Sequence, residues 1–432
     1  MKRAILCFPF VTGRQVQYPT GLYKIASFCS GSYEITVLDQ RIDADVVRTI
    51  SNLIADDPSI LCLGLSVMTG EQIEHAIAIS RAFHGRLPIV WGGIHPTILP
   101  EQTLRSGFVD YIIIGEGEEA FLSLLDHLSG TESHQQLFLS KDNSNYTYNH
   151  VVDLDACGYI DFSRFEIKRD YFVRRDGFDR AFTVETSRGC PFCCSFCHNS
   201  IFRKPYRTMS VENVLAVIDD LHRLHRVDGI IFQEDNFFGD VRRVRDIIRC
   251  LLDRGDIGWK ANSRISYFYT LATNRPFMDE LLRSRCMVLQ FGIESGSPTT
   301  IARINKKINI EKVVQTNRDL SVYPIRIRYN FIVGFPGETE KDITATLRLI
   351  DALRQGNPHM EPPFLNVYCP YPGTPLYAEA VKHGFKEPND LMEWSHLNWS
   401  ATWLSCFPTR LRRFIESRAA QFSSDSLYLR GD

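Results

Sequence analysis

The sequence of 432 residues is informative first for what it does not contain. No stretch reaches the roughly 18 uninterrupted apolar residues of a membrane span, so we expect no transmembrane helix. Charge of one sign is not in excess, because 49 lysine and arginine residues face 51 aspartate and glutamate residues. The formal net charge of −2 therefore predicts no general affinity for nucleic acid or for an acidic membrane surface. Internal repeats and low-complexity tracts are also missing, which excludes a repeat architecture.

Two nucleotide-binding motifs are absent as well. The region around the end of the first predicted strand, CFPFVTGRQVQYPTGL, has no GxGxxG fingerprint for a dinucleotide, and no Walker phosphate loop occurs in the chain. The N-terminal segment MKRAILCFPFVTGRQ starts with basic residues, but its apolar run of about seven residues is short and no cleavage site follows. We therefore interpret this segment as a first β-strand rather than a signal peptide.

The sequence does contain a regular alternation of strand and helix patterns. In the first 130 residues, apolar strands such as ILCLGLSV alternate with helical patterns such as EQIEHAIAISRAFHG, whose Ile73, Ile77 and Phe83 lie near one face. Buried strands separated by helices predict a parallel sheet covered on both faces, which is a doubly wound α/β domain. Ligands of such domains usually bind at the carboxyl ends of the strands.

A second strand–helix series follows a polar stretch, TESHQQLFLSKDNSNYTYN, and a connector. Its six strand patterns are FTVETS, GIIFQED, WKANSR, MVLQFGIES, IRYNFIVGFP and FLNVYCPYP. Six strand–helix units favour a partial (β/α)6 barrel over a second open sheet, although periodicity alone does not separate the two. The predicted segments are a doubly wound domain at 1–135, a linker at 136–178, the barrel at 179–378 and a small C-terminal capping extension at 379–432.

Four of the twelve cysteines lie within the eight positions of CPFCCSFC, after the first strand of the second series. The other eight are scattered in mostly apolar surroundings, which predicts reduced thiols and a cytoplasmic location. A structural zinc site uses two CxxC pairs with a spacer between them, whereas these pairs abut, and a disulfide conflicts with the reduced setting. The pattern therefore favours an iron–sulfur cluster on a loop at the carboxyl end of a barrel strand.

A CxxxCxxC sequence after the first strand of a βα barrel resembles the radical S-adenosylmethionine (SAM) superfamily. The resemblance implies that Cys190, Cys194 and Cys197 hold a 4Fe–4S cluster whose remaining iron binds SAM, while Cys193 is a bystander. In that superfamily one electron from the cluster cleaves SAM and gives a 5′-deoxyadenosyl radical. Phe196 occupies the usual aromatic position of the motif, whose backbone contacts adenine.

Four later segments resemble barrel strands of the same superfamily, in the same order. GIIFQEDNFF contains Glu234 and Asp235, one of which is expected to hold the methionine amine of SAM. FGIESGSP provides Glu294 for the ribose or carboxylate of SAM. NFIVGFPGETEKD provides Gly334 and Gly337, which let the backbone approach adenine closely. NVYCPYPGTPLY resembles the sixth strand.

The first domain resembles the Rossmann-like cobalamin-binding domain of a radical SAM subfamily that includes magnesium-protoporphyrin oxidative cyclases and cobalamin-dependent methylases. The resemblance lies in GLSVMTG, WGGIHPTILPE and VDYIIIGEGEEAF. The DxHxxG motif that supplies an axial histidine in other cobalamin domains is missing, which implies cobalt without a histidine ligand. We interpret GEGEE as a turn before a helix, with Glu118 and Glu119 in its first turn. The candidate cobalamin-binding residues are Ser66, Met68, Thr69, Gly92, Gly93, His95, Gly115 and Glu116.

Together these resemblances imply a cobalamin-dependent radical SAM enzyme whose cofactors are a 4Fe–4S cluster, SAM and cobalamin. The reaction we expect is methyl transfer to an unactivated centre. The alternatives are a cyclase or rearrangement enzyme without net methylation, a radical SAM enzyme whose first domain only docks a substrate or partner, and a non-enzymatic sensor. The expected partners are a small-molecule or carrier-bound substrate and an external one-electron reductant such as flavodoxin or ferredoxin.

Overall fold

The structure is a computed structural model that describes residues 1–12, 16–131, 137–143, 147–158, 160–202, 205–396 and 399–423. The chain forms two compact units. The first unit comprises Met1–Asp170 and Glu387–Asn398, and the second comprises Tyr171–Lys386 and Trp399–Asp432. Within the described residues, no helix is both long enough and apolar enough to cross a membrane.

The first unit contains one six-stranded sheet with helices between the strands. Its strands lie in the order β2-β1-β3-β4-β5-β6 and run parallel, except for β6, which is antiparallel to β5. The order 2-1-3-4-5 is that of a doubly wound fold, with the switch point between β1 and β3. The elements up to residue 170 are β1 Arg3–Phe8, α1 Thr20–Cys29, β2 Glu34–Asp39, α2 Val46–Asp56, β3 Ile60–Ser66, α3 Gln72–Phe83, β4 Ile89–Gly92, α4 Ile94–Ile98, α5 Pro100–Leu104, β5 Tyr111–Ile112, α6 Glu118–Ser129, β6 Leu139–Ser140 and α7 Leu154–Gly158.

The apolar pattern of the sequence explains why these elements pack as they do. Helix α3 buries the predicted face with Ile73, Ile77 and Phe83, all of which are 3% exposed or less. Helix α6 starts with the two predicted glutamates in its first turn and ends at Gly130, which takes the left-handed conformation with φ of 78°. The predicted doubly wound domain is therefore confirmed.

The second unit contains a seven-stranded sheet in the order β15-β14-β13-β12-β11-β8-β7. Strands β8 and β11 to β15 are parallel and correspond to the six predicted barrel strands, and β7 pairs antiparallel with β8 at the edge. The α-helices and β-strands of the other described residues are β7 Val173–Arg175, β8 Phe178–Val184, β9 Ser187–Arg188, α8 Asn199–Phe202, β10 Arg207–Thr208, α9 Val211–His225, β11 Gly229–Phe232, α10 Val241–Leu252, β12 Gly258–Ser263, α11 Ile265–Leu271, α12 Arg275–Arg283, β13 Cys286–Glu294, α13 Pro298–Arg303, α14 Ile310–Leu320, β14 Arg326–Val333, α15 Glu340–Gly356, β15 Phe364–Val367, α16 Pro375–Lys382, α17 Leu391–Ser395, α18 Trp399–Leu404 and α19 Thr409–Ser423.

A hairpin turn shows that this second sheet is curled. The turn between β7 and β8 contains Asp176, whose carboxylate lies 3.0 Å from Lys260 Nζ on β12 and 2.9 Å from an Arg328 nitrogen on β14. Strand β14 is four places away from β8 in the sheet order, so this contact requires the sheet to bend around its own inner face. The architecture is the predicted partial barrel, closed at the amino-terminal ends of its strands by a buried ionic cluster.

The compact units do not follow the predicted segment boundaries everywhere. The predicted boundary between residues 135 and 136 lies outside the described residues, and the compact units divide at Asp170 rather than at residue 178. The predicted C-terminal extension is split, because Glu387–Asn398 belongs to the first unit. There α17 packs against α3, and Gln102 Nε2 donates a hydrogen bond to the Asn389 carbonyl at 3.0 Å.

Candidate functional site

The cysteine loop, residues 190–197, lies at the carboxyl end of the first parallel barrel strand, as predicted. It follows β8 and the short strand β9, and its four thiols are all free. Cys194 is buried, Cys190 and Cys197 are half-buried, and Cys193 is exposed. The side chain predicted to be a bystander therefore differs from the three predicted ligands in its exposure.

The three predicted ligand thiols lie close enough to affect one another electrostatically. Burial raises the pKa of Cys190, and burial also raises the pKa of Cys197 to about 12, with further increases from Asp235 and from neighbouring thiols. The free thiols of Cys190 and Cys197 would thus be protonated at neutral pH, and metal binding would release these protons. Within the described residues, no three His, Cys, Asp or Glu side chains surround one point as ligands of a single metal ion. A 4Fe–4S cluster does not need that arrangement, because its cysteines bind different iron atoms.

A turn after α13 holds the cysteine loop in place. The Ile304 carbonyl accepts a hydrogen bond from the Ser195 amide at 2.9 Å, and Asn305 Nδ2 donates to the Cys193 carbonyl at 2.7 Å. Asn305 has a φ of 50°, which is uncommon for a residue other than glycine. On the other side of the loop, the amide of Leu376, in the first turn of α16, donates to the Ser195 carbonyl at 3.0 Å.

The two acidic candidates after β11 have different environments. Glu234 is 6% exposed and accepts hydrogen bonds from the amide of Thr186 at 2.6 Å, from its hydroxyl at 2.5 Å and from the hydroxyl of Ser187. Burial raises the pKa of Glu234. Asp235 is exposed, and its charge acts on the thiols of Cys190 and Cys197. Glu234 therefore holds the chain that leads into the cysteine loop, whereas Asp235 is available to a ligand beside the thiols.

Glu294 ends β13 in a buried ion pair. Its carboxylate lies 2.7 Å from Lys306 Nζ, and its backbone has a φ of 72°. A Cβ added to Gly292 would lie 2.4 Å from Glu294 Oε1 and 3.1 Å from Lys306 Nζ, so the glycine makes space for this pair. A strained backbone and a buried ion pair together mark this strand end as a candidate functional position.

The loop after β14 is shaped by Glu338, whose carboxylate accepts hydrogen bonds from the amides of Gly334 at 2.6 Å and Phe335 at 3.2 Å. Burial raises the pKa of Glu338 to about 7. Gly334 and Gly337 have φ values of 80° and 73°, which side chains other than glycine rarely adopt. The ring centroid of Phe196 lies 5.7 Å from that of Phe335, which brings the cysteine loop and this glycine loop together.

In the first unit, residues 66–72 lie beside the switch point of the sheet. Gln72 accepts a hydrogen bond from the Met68 amide at 2.7 Å and donates one to the Pro9 carbonyl at 2.9 Å. This buried amide therefore joins the chain segments that follow β1 and β3. Met68 itself is 40% exposed, so its side chain is accessible at the edge where a doubly wound fold binds its ligand.

The two adjacent glycines at the end of β4 have different surroundings. A Cβ on Gly93 would lie 2.9 Å from both the amide and the carbonyl of Val67 and 3.3 Å from Ser66 Oγ, and its φ is 97°. A Cβ on Gly92 would meet only Ile113, at 3.7 Å or more. Contacts within the protein therefore require a glycine at position 93. At position 92 they do not, and the missing side chain leaves room for a ligand.

His95 is enclosed within the first unit. Its ring is fully buried, with Nδ1 at 3.3 Å from Thr69 Oγ1 and the ring centroid at 6.0 Å from that of Trp394. Burial lowers the pKa of His95 to about 3, so the imidazole is neutral at physiological pH. Nε2 is buried and has no hydrogen-bond partner in the described part of the chain. A buried, unpartnered nitrogen fits a contact with a bound group.

The structure gives Gly115 and Glu116 internal roles. A Cβ on Gly115 would lie 2.2 Å from the Asn149 carbonyl oxygen, and the Gly115 amide donates to Thr97 Oγ1 at 3.0 Å. The Glu116 carboxylate accepts a hydrogen bond from the Val151 amide at 2.8 Å. Both residues therefore anchor the segment around Asn149 to the sheet.

Four residues with roles at these sites were not identified from the sequence. Arg264 directly follows β12 and donates a hydrogen bond to Cys194 Sγ at 3.5 Å, but the sequence shows it only as a charged residue at a barrel strand end. Glu338 stands in GFPGE, which by itself is a common turn before a helix. No sequence pattern marks Asn305 or Lys306, because their roles depend on a turn that brings them to distant loops.

Sequence models of two families match the chain. The model described as B12 binding domain matches residues 10–125, from the loop after β1 into α6. The model described as Radical SAM superfamily matches residues 184–350, from the end of β8 into α15. The two matches thus lie on the two sheets described above.

The chain is also similar to individual proteins. An uncharacterized methyltransferase of Pyrococcus horikoshii is 29% identical over 375 residues, which are 84% of this chain and 78% of the relative. Bacteriochlorophyllide d C-12(1)-methyltransferase of Chlorobaculum tepidum is 25% identical, with coverage of 84% and 74%. The solved structure of OxsB, a cobalamin-dependent SAM radical enzyme with aqua-cobalamin and SAM bound, superimposes with a TM-score of 0.74 at 19% identity, over 96% of this chain and 67% of that chain. At this identity, the last likeness shows a shared fold.

Proposed function

Because the chain belongs to the cobalamin-binding branch of the radical SAM superfamily, we propose that it is a methyltransferase that methylates an unactivated centre. Its cofactors are a 4Fe–4S cluster, SAM and cobalamin. When bound, the cluster and SAM supply a carbon-centred radical and cobalamin supplies the methyl group. The observation that carries the proposal is the coexistence, in one chain, of the free-thiol loop on a half-barrel and a doubly wound sheet with Gly92 at the carboxyl end of β4.

In this proposal Cys190, Cys194 and Cys197 hold the cluster and Cys193 does not. The exposure of Cys193 supports the distinction, since its side chain lies apart from the enclosed positions of the other three. The hydrogen bonds at Ser195 and Asn305 fix the loop from two sides. The protein's contribution here is a rigid frame that keeps three sulfurs at set positions.

Asp235 is our candidate for the residue that holds the SAM amine. It is exposed beside the thiols, whereas the Glu234 carboxylate is occupied by Thr186 and Ser187. Glu294, oriented by Lys306, is the candidate for the ribose or carboxylate of SAM. The backbone at Phe196, Gly334 and Gly337 is the candidate surface for adenine, as the resemblance to the radical SAM superfamily implies.

For cobalamin, the candidates are the residues at the carboxyl edge of the first sheet. Ser66 ends β3, Met68 and Thr69 follow it, and Gly92 ends β4. His95 could meet the bound group only through Nε2, because Nδ1 faces Thr69. Gly93, Gly115 and Glu116 are also candidates, and their packing and hydrogen bonds within the protein support this edge.

We further propose a small-molecule or carrier-bound substrate, an external one-electron reductant such as flavodoxin or ferredoxin, and a cytoplasmic location. The location is supported by the free thiols of the eight scattered cysteines, which suit a reducing compartment. The reductant follows from the need of a 4Fe–4S cluster for one electron per SAM cleavage.

The first experiment reconstitutes the chain anaerobically with iron, sulfide and hydroxocobalamin, removes unbound material and measures iron and cobalt by mass spectrometry. We expect about four irons and about one cobalt per chain. Cys190→Ala, Cys194→Ala and Cys197→Ala should each lose iron and SAM cleavage, and Cys193→Ala is the matched control that should keep both. Four irons without cobalt would remove cobalamin from the proposal.

A second measurement separates methyl transfer from the other radical reactions. A methyltransferase forms S-adenosylhomocysteine together with 5′-deoxyadenosine, because one SAM gives the methyl group and another gives the radical. With a candidate substrate, formation of 5′-deoxyadenosine alone would contradict methyl transfer and support cyclisation or rearrangement.

A further inference from the structure

The side chain of Arg264 brings a positive charge into contact with the cysteine loop. It lies directly after β12, at the carboxyl end of that strand, and immediately before α11. Its side chain is 6% exposed, although arginine is rarely buried unless it is paired. The contacts of this guanidinium group therefore need an explanation.

The guanidinium has three contacts around the loop. One terminal nitrogen donates to Cys194 Sγ at 3.5 Å, and the other donates to the Lys306 carbonyl. The central carbon of the guanidinium lies 3.7 Å from the centroid of the Phe192 ring, which belongs to the loop itself. These contacts hold the charge against the sulfur of one predicted ligand, and no carboxylate of the described residues is ion-paired with it.

The other two predicted ligands have neutral donors. The sulfur of Cys190 accepts from the backbone amide of Phe192, and that of Cys197 accepts from the backbone amide of Asn199. Cys194 therefore differs from them in having a cationic side-chain donor. Arg264 Nε is buried and has no hydrogen-bond partner among the described residues, so the charge is only partly satisfied by protein groups.

We propose that Arg264 is a positioning residue that raises the reduction potential of the cluster held by Cys190, Cys194 and Cys197. The inference rests on the proposed function, because it requires that cluster. On reduction the cluster gains one electron from the external reductant, and no bond forms or breaks at Arg264. A nearby cation and a hydrogen bond to a ligand sulfur both stabilise the more negative, reduced form. Burial strengthens the effect, because the charge is poorly screened by water.

If Arg264 only held the loop in place, the expected effect of each variant on the reduction potential would be different. Asn305 also holds the loop, through its hydrogen bond to the Cys193 carbonyl, but it is neutral. Asn305→Ala therefore loosens the loop without changing its charge, whereas Arg264→Gln removes the charge and keeps an amide donor. Arg264→Lys keeps the charge and gives up the planar group that contacts two partners at once.

The experiment is anaerobic potentiometry of the reconstituted full-length chain, with the reduced cluster followed by electron paramagnetic resonance. At the wild-type midpoint potential, we expect the ratio of reduced to oxidised cluster in Arg264→Gln to be at least tenfold lower. For a one-electron couple, tenfold corresponds to about 59 mV. Arg264→Lys and Asn305→Ala should remain within about threefold of wild type.

Iron analysis keeps this inference separate from the proposed function. A wild-type chain that binds no cluster would contradict the proposed function itself. An Arg264→Gln chain with a full cluster and an unchanged midpoint would overturn only the role of Arg264, and so would an Asn305→Ala chain shifted as far as Arg264→Gln. If Arg264→Gln binds no iron, Arg264→Lys decides: a ratio within threefold of wild type supports the charge effect, and a tenfold loss overturns it.

Discussion

The ammonium of Lys306 lies 2.7 Å from the carboxylate of Glu294, and both side chains are less than a tenth exposed. Removal of one member of such a pair leaves an uncompensated buried charge, whereas removal of both leaves none. The pair therefore allows the stability of the strand end to be separated from its proposed contact with SAM.

We expect Lys306→Met to lower the free energy of unfolding by about 3 kcal/mol, because it leaves the Glu294 carboxylate buried alone. The double variant Glu294→Gln with Lys306→Met should recover most of this loss and still bind SAM more weakly. Urea unfolding of the cluster-free chain measures the first effect, and the KM for SAM measures the second. A double variant with wild-type SAM affinity would remove Glu294 from the SAM site.

Substitutions of the neighbouring residues Asp235 and Glu234 should affect different properties, SAM binding in one case and stability in the other. Asp235→Asn should raise the KM for SAM at least tenfold and leave the unfolding midpoint unchanged, because the side chain is exposed. Glu234→Gln should lower stability by about 2 kcal/mol, because Thr186 and Ser187 donate to different oxygens of Glu234 and the glutamine amide has only one oxygen. SAM titrations and urea unfolding of both variants check these expectations. The reverse outcome would make Glu234 the ligand-binding carboxylate.

Gly92 and Gly93 provide a matched pair in the first unit. Gly92→Ala adds a methyl group in ordinary van der Waals contact with Ile113, so we expect normal stability but a lower cobalt content after reconstitution. Gly93→Ala adds the same group 2.9 Å from the Val67 backbone at a φ of 97°, so it should cost about 1–3 kcal/mol of stability. Cobalt analysis and thermal unfolding of each variant give the two readouts. Full cobalt occupancy in Gly92→Ala would show that cobalamin does not approach this position.

Glu338 gives stability a predictable dependence on pH. Its pKa is raised in the folded chain from an ordinary 4.5 to about 7, so the folded state holds the proton more tightly than the unfolded state. The resulting stabilisation is fully present below about pH 4.5 and is lost as the pH rises through 7, a change of about 3 kcal/mol. The difference in unfolding free energy between wild type and Glu338→Gln should follow this course in urea unfolding from pH 5 to 8. A constant difference across that range would show that Glu338 is ionised throughout.

The sequence predicted both sheets because their strands are continuously apolar and their helices have clear periodicity. It also predicted the position of the cysteine loop, since a loop between a strand and the next element must lie at the strand's carboxyl end. These features depend on residues that are near one another in the chain.

The parts that were missed depend on distant residues. Glu234 and Asp235 are equivalent in a sequence pattern, and they are distinguished by their exposure and by the donors of Thr186 and Ser187 to Glu234. The role proposed for Arg264 depends on its contact with the sulfur of Cys194, which lies 70 positions away in the sequence. The approach of Asn149 to Gly115, a candidate cobalamin-binding residue, likewise joins residues 34 positions apart and has no signal in the sequence.

Because Glu387–Asn398 belongs to the first unit, the codons for that unit are not contiguous in the gene. The polypeptide passes between the units three times, at residues 170/171, 386/387 and 398/399. Trp394, which packs on the buried His95, is therefore encoded after the barrel. A recombination event that exchanged only the first 170 codons would deliver a sheet without one of its covering helices. The first unit can be transplanted whole only if a short stretch from beyond the barrel moves with it.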